Sequence, residues 1–253
     1  MNPRDDRVVL REARRPTNAR PKTGGHSREV ATALRSIAAL RNLSSAALTR
    51  LAAAGTRIEL PRGAPLFIAG TQCPGLYVVA SGRLMVSVGN AASGVKVIRL
   101  AEAGDVVGLA ATLLGVATFA GTEALVDSSL VLIPRDSLLE NAARDAQLSL
   151  ALATMAAREA RGMAIDIESI SLQSGRERIV SYLLACASAG PGALLTALLP
   201  AKKSIIASRL SVTPEYFSRT LHELITAGAI DVNGRQIIIR DAARLRGVEQ
   251  RAA

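Results

Sequence analysis

The sequence predicts an α+β protein of two domains: an antiparallel β-roll or barrel, a long helix, and a compact helical domain closed by a β-hairpin. Three observations carry this. From Thr56 to Pro134, short β-branched runs alternate with glycine turns. From Leu148 to Ile170, apolar residues recur at three- and four-residue steps, the spacing of one helix face. Near the C-terminus, two short helical segments flank a tight turn and precede a strand pair with an Asn-Gly turn.

The elements follow in chain order. Residues 1–28 carry many Arg, Pro16, Pro21 and Gly24-Gly25, the composition of a disordered basic tail. They lack the apolar stretch of a secretory signal. Residues 29–147 form the first domain. It opens with helical spacing (Leu34, Ile37, Leu40, then Leu43, Leu48, Leu51), and Ser44 is a plausible cap. Strands follow at Leu76 to Val79, Leu84 to Val88, Val95 to Leu100 and Leu130 to Ile133. Turns fall between them at Pro74-Gly75, Ser81-Gly82, Ser93-Gly94 and Gly104-Asp105.

Residues 148–174 form the long helix, with Leu148, Leu152, Met155, Met163, Ile167 and Ile170 as its stripe. Such a stripe either packs on its own β domain or forms a coiled-coil-like seam with a second copy. Residues 175–253 make the last domain, with Ala187 to Gly192 as a small-residue loop inside it.

Composition narrows the function. The chain of 253 residues is 49% hydrophobic but only 2% aromatic, with no Trp, so its cores are built from Leu, Ile, Val and Ala. A net charge of +10 and a pI near 10.7 favour a polyanionic partner, nucleic acid or anionic lipid. Of the two uncharged stretches, Val106 to Thr122 is short for a span and broken by glycines, and Ile179 to Ala201 is cut by Gly190-Pro191-Gly192 into halves too short to cross a bilayer. Cys73 and Cys186 stand far apart, which excludes a disulfide framework, a Cys-only zinc site and a cysteine-held iron–sulfur cluster within one chain. Reduced thiols in a cytoplasmic protein are the expectation. No nucleophile–base pair, metal cluster or phosphate loop is visible, which argues against an enzyme.

The segment Lys202 to Leu224 carries the function. Its first helix holds Ile205, Ile206 and Leu210 on the apolar side, and Ser211-Val212 make the turn. Thr213 caps the second helix and Pro214 takes its first position, where a missing N–H costs nothing. Phe217, Leu221 and Leu224 face inward, which leaves Glu215, Tyr216, Ser218 and Arg219 outward near the N-terminal end. Arg219 can donate twice to guanine, Glu215 can accept from cytosine, and Ser218 suits several base edges. Lys202, Lys203, Thr213 and Tyr216 are placed for phosphates or flanking contacts. With the hairpin Ala229 to Ile239 behind it, this is a winged helix-turn-helix. The plain alternative is a helical hairpin with a solvated polar face. Double-stranded DNA is the partner the combined features favour.

Glu215, Ser218 and Arg219 match the Glu-x-x-Ser-Arg of the Crp/Fnr family recognition helix, which the whole segment resembles. Asp166 to Ser174, Arg178 to Leu184 and Lys203 to Leu224 resemble the Dnr-like, nitric-oxide-responsive branch. Leu76 to Gly82 and Ala103 to Gly108 resemble the family's sensor roll. The resemblance spans about Leu34 to Leu245. It implies a cyclic-nucleotide-binding-like β-roll, a dimerisation helix and a C-terminal winged helix-turn-helix. The function it implies is that of a homodimeric activator on a pseudo-palindromic, TTGAT-like site, with RNA polymerase as a further partner and no membrane association.

The effector departs from the pattern. Cyclic-AMP-binding relatives hold the phosphate with an Arg beside Ser or Thr. Here the matching stretch reads Ala117 to Thr122, with no Lys or Arg between Arg99 and Arg135. Cyclic-nucleotide binding is therefore not expected. The N-terminal cysteines of iron–sulfur relatives are absent as well. Heme, which the Dnr-like branch implies, finds only His26 and His222 as imidazoles. Both read as surface histidines, and Met or Cys ligands stay open. The remaining alternatives are a cyclic-nucleotide-responsive regulator and a sensor module acting on a protein partner without DNA.

Overall fold

The computed structural model describes residues 26–90, 94–189 and 195–247. They fall into two compact units that divide at Arg161/Gly162. Residues 1–25 of the expected tail lie outside the described residues. Helix α1 (His26–Ser36) starts just inside the span 1–28.

The first unit continues with a 3-10 turn (Ala38–Leu40) and α2 (Ser45–Ala54). The Ser44 hydroxyl accepts from the Ala47 amide at 3.1 Å and caps α2. The roll comprises β1 (Thr56–Leu60), β2 (Pro65–Phe67), β3 (Gly75–Ser81), β4 (Arg83–Asn90), β5 (Gly94–Glu102), β6 (Val106–Val107), β7 (Gly121–Ala124) and β8 (Ser128–Pro134). The short helix α3 (Leu109–Leu114) sits between β6 and β7, and α4 (Arg135–Arg144) follows β8. The strands form two four-stranded antiparallel sheets, ordered β1-β8-β3-β6 and β2-β7-β4-β5.

Strand β3 shows why Leu76-Tyr77-Val78-Val79 is apolar without alternation. Leu76 and Val78 face a core shared with α1, α2 and α4, while Tyr77 and Val79 face the interior of the roll. A strand covered on both faces has no solvent side to mark with polar residues. Strand β8 repeats the arrangement, with Val131 and Ile133 on the helical side and Leu130 inside.

The turn from β3 to β4 depends on Gly82. Its φ is +96°, and a Cβ built there lies 2.2 Å from the Ser128 hydroxyl oxygen and 2.6 Å from Ser128 Cα. The backbone atom cannot step aside as a side chain would. Gly82→Ala is therefore expected to cost about 2–4 kcal/mol, from left-handed strain plus overpacking. Urea unfolding monitored by circular dichroism measures it, and a midpoint equal to the parent's would contradict the packing described.

The long helix α5 (Ala146–Leu172) exists as expected, but the boundary at Arg161/Gly162 divides it between the two units. The six-residue stripe divides too, which corrects the expected seam. Leu148, Leu152 and Met155 are only 1, 4 and 7% exposed and belong to the core beneath α1, α2 and α4. That core holds them because each buried side chain of this size contributes about 1.5–3 kcal/mol. They are not available to a second copy. Met163, Ile167 and Ile170 are 50, 65 and 45% exposed and remain available.

The second unit adds α6 (Gly175–Ala185), β9 (Ala187–Ala189), β10 (Leu195–Leu198), α7 (Lys203–Arg209), α8 (Pro214–Thr226), β11 (Ile230–Asn233), β12 (Gln236–Ile239) and α9 (Ala242–Gly247). A capping box starts α6. The Ser174 hydroxyl accepts from the Glu177 amide, and the Glu177 carboxylate accepts from the Ser174 amide. That amide bond holds the Glu177 carboxyl below its usual range.

The expected loop at Ala187 to Gly192 is corrected in part. Ala187–Ala189 is strand β9, and it pairs with β10, which pairs with β12. The wing is thus a four-stranded sheet, β11-β12-β10-β9, rather than a lone hairpin. Ala-Ser-Ala has low intrinsic strand preference, so β9 is imposed by its partner. Residues 190–192 lie outside the described residues.

Candidate nucleic-acid interface

Helix α7 and helix α8 are joined by a turn that is fully hydrogen-bonded. The Ser211 amide donates to Ser208 O at 3.1 Å and the Val212 amide to Ala207 O at 3.0 Å. Ser211 has φ of +56°. This is a Schellman ending with a serine in the left-handed position that glycine usually takes. It reverses the chain within a few residues and presents the next helix.

Helix α8 starts as the sequence predicts. The Thr213 hydroxyl accepts from the Tyr216 amide at 3.1 Å, and Pro214 occupies the first turn. Phe217, Thr220, Leu221 and Leu224 are buried. Glu215, Ser218 and Arg219 are exposed and stand three and four residues apart on one face. His222 is exposed one turn further on. Lys202 is exposed at the N-cap position of α7, and Lys203, half-buried, opens the helix.

Tyr216 has a more specific setting than a flanking contact. Its ring packs over Gly175, where an added Cβ would lie 2.9 Å from Tyr216 Cε1. The Arg219 guanidinium carbon sits 5.2 Å from the centre of that ring. The ring braces the guanidinium by a cation–π contact and limits its rotamers.

Three arginines that sequence reading passes over tie this pair of helices down. Arg178 on α6 donates to Leu210 O at 2.8 Å and Ser211 O at 3.3 Å, both in the turn, and to Gln173 O at 2.5 Å. Arg209 on α7 gives one terminal nitrogen to both carboxylate oxygens of Asp166 at 2.8 Å. Arg176 on α6 meets Glu223 on α8 at 2.5 Å. Each pairing joins residues of different elements, so no local spacing in the sequence announces it.

The side chains between Leu100 and Pro134 supply no cation for a cyclic phosphate, and two cations of the roll are paired: Arg83 to Glu102 at 2.8 Å, and Arg99 to Glu159 at 2.6 Å. Arg135 Nε donates to Thr112 O at 2.8 Å. Between Leu100 and Pro134 the charged side chains are Glu102, Asp105, Glu123 and Asp127, all acidic. Burial pushes the Glu123 carboxyl up. Thr118 is buried with its hydroxyl turned to Ile68 O and Thr71 O, and Phe119 is 65% exposed.

The roll does not fit heme either. Its described residues include no histidine. The Cys73 thiol is buried and donates to Gly75 O at 3.1 Å, Met85 is buried in the core, and burial pushes the Tyr77 phenol up to about 12. None is placed as an open axial ligand. No group of three or more His, Cys, Asp or Glu suited to a metal occurs among the described residues. Among them, too, no helix is long and apolar enough to cross a membrane.

A roll of two antiparallel sheets, a long helix and a winged helix-turn-helix with a polar reading face together define a DNA-binding transcription regulator. Two family models match: the cyclic nucleotide-binding domain at residues 57–145 and the Crp-like helix-turn-helix domain at residues 177–248. The chain belongs to the Crp/Fnr family of transcription regulators. The cyclic AMP receptor protein of Thermus thermophilus is 25% identical over 185 residues, which is 73% of this chain and 84% of that protein. FixK2 from Bradyrhizobium japonicum has a similar structure, with a TM-score of 0.68 and 26% identity over 79% of this chain and 99% of that one. CooA from Carboxydothermus hydrogenoformans shares the fold at a TM-score of 0.68, with 17% identity over 83% of this chain and 92% of that one.

Proposed function

We propose that the chain works as a homodimer that reads a pseudo-palindromic, TTGAT-like site with one α8 in each half-site. It acts there on transcription by RNA polymerase, under a signal that is not a cyclic nucleotide. The observation that carries the DNA reading is the exposed set Glu215, Ser218 and Arg219 on a capped helix braced from behind. The half-site sequence and the polymerase contact rest on the family resemblance. The exposed residues Met163, Ile167 and Ile170 support the second copy, because a contiguous apolar face of this kind is normally covered. The Dnr-like resemblance suggests nitric oxide, but the residues of the roll supply no heme ligand, and no response is routed through heme.

The reading against cyclic nucleotides rests on charge. A cyclic phosphate held against Leu100 to Pro134 would lose its hydration and meet acidic groups with no Lys or Arg from that segment, a cost of several kcal/mol. Titration calorimetry is expected to give no saturable heat for cyclic AMP or cyclic GMP. Saturable binding near micromolar affinity would overturn it. Fluorescence anisotropy on a TTGAT-like palindrome and a scrambled duplex, with no nucleotide added, tests the DNA reading. Equal affinity for both would refute it and favour a module that acts on a protein partner.

A further inference from the structure

The arginine ties around α7 and α8 do more than close a helical domain. Two of them run to the end of α5. Arg209 reaches Asp166 inside that helix, and Arg178 joins Gln173 O, just past its end, to the turn between α7 and α8. Asp166 and Gln173 belong to the same compact unit as the winged helix-turn-helix. The exposed residues Met163, Ile167 and Ile170 occupy the same few turns of α5 as Asp166. The surface proposed to meet a second copy and the helix proposed to read DNA are therefore carried on one clamped body.

We infer that Asp166 is a positioning residue: its ion pair with Arg209 fixes the direction of the recognition helix relative to the last turns of α5, and so sets the half-site spacing that the dimer accepts. This rests on the DNA-binding and dimer readings above. The ion pair is partly open to solvent, with 27% of the Arg209 and 36% of the Asp166 side chain exposed. Pairs this exposed add little to global stability. Their geometric effect is larger, because the pair ties α7 directly to α5, beside the Arg178 bonds that run from the end of α5 to the turn after α7. Removing it lets α7 and α8 pivot about those bonds. Affinity for a correctly spaced site then falls relative to scrambled DNA, because the uncovered Arg209 charge adds to both alike.

The test uses the full chain and a duplex selected by the parent protein from a random pool. Anisotropy is read on that duplex, on the same half-sites with one base pair inserted between them, and on a scrambled duplex. For Asp166→Ala, operator affinity is expected to fall about tenfold, the coupling typical of a side-chain pair acting on one geometry. Scrambled affinity holds or rises with the uncovered Arg209 charge, and the penalty for the inserted base pair shrinks. The exchanged pair Asp166→Arg with Arg209→Asp is expected to recover most of the operator affinity. Parental operator affinity and an undiminished spacing penalty in Asp166→Ala would overturn the inference. If Asp166→Ala fails to fold, the exchanged pair decides. No recovery in an exchanged protein with parental circular dichroism and sedimentation would also overturn it. A parent that cannot distinguish operator from scrambled duplex would overturn the DNA-binding reading itself, and this inference with it.

Discussion

Ile167→Glu combined with Ile170→Glu is expected to convert the protein to a monomer while leaving both compact units folded. The two isoleucines are 65 and 45% exposed in the single chain, so charge there costs the fold little. In the proposed dimer each is covered twice, once in each copy. Four covered side chains at about 1.5 kcal/mol each amount to about 6 kcal/mol of lost association, some four orders of magnitude in the dissociation constant. Two glutamates brought against two others add repulsion. Sedimentation velocity at micromolar concentration reads the outcome, with circular dichroism as the control for folding. A double variant that still sediments as a dimer would show that another surface joins the copies. Leu152→Glu is a different experiment, because Leu152 lies in the core of the first unit and its change would unfold that unit whether or not a second copy exists.

Arg219→Ala is expected to remove sequence discrimination without unfolding the chain. The side chain is exposed and lies over the face of Tyr216. One bidentate contact to guanine contributes about 1–3 kcal/mol of discrimination. A twofold site engages two such residues, so the ratio of operator to scrambled affinity should fall by about 2–6 kcal/mol in total, or roughly thirtyfold to twenty-thousandfold. Scrambled affinity should fall far less and uniformly across sequences, because only charge is lost there. An unchanged ratio would place base reading elsewhere on the helix.

Legibility in the sequence followed the range of the interaction. The α8 start was readable because its determinants are adjacent: Thr213 caps, Pro214 opens, and Phe217, Leu221 and Leu224 set the buried face within one helix. The roll strands were readable because glycine turns bound them and because runs such as Leu76 to Val79 are apolar throughout. The seam was half legible. Spacing alone places Leu148, Leu152, Met155, Met163, Ile167 and Ile170 on one stripe, yet only the tertiary packing of α1, α2 and α4 decides which half is covered. Strand β9 was hidden because Ala187-Ser188-Ala189 carries no pattern of its own and is held by pairing with β10. The clamps at Arg178 and Arg209 were hidden for the same reason: a charge on a helix face has no visible partner until another element is laid beside it. The absence of Lys and Arg between Arg99 and Arg135 is a fact of the chain itself and needs no fold to be read.

The most direct test of the account is selection of duplexes from a random pool by the full chain, without added nucleotide, followed by footprinting of the enriched sequence. The account predicts two inverted half-sites about one helical turn apart, protected symmetrically and with a stoichiometry of two chains per duplex. Enrichment of no sequence, or of one half-site bound by a single chain, would contradict it.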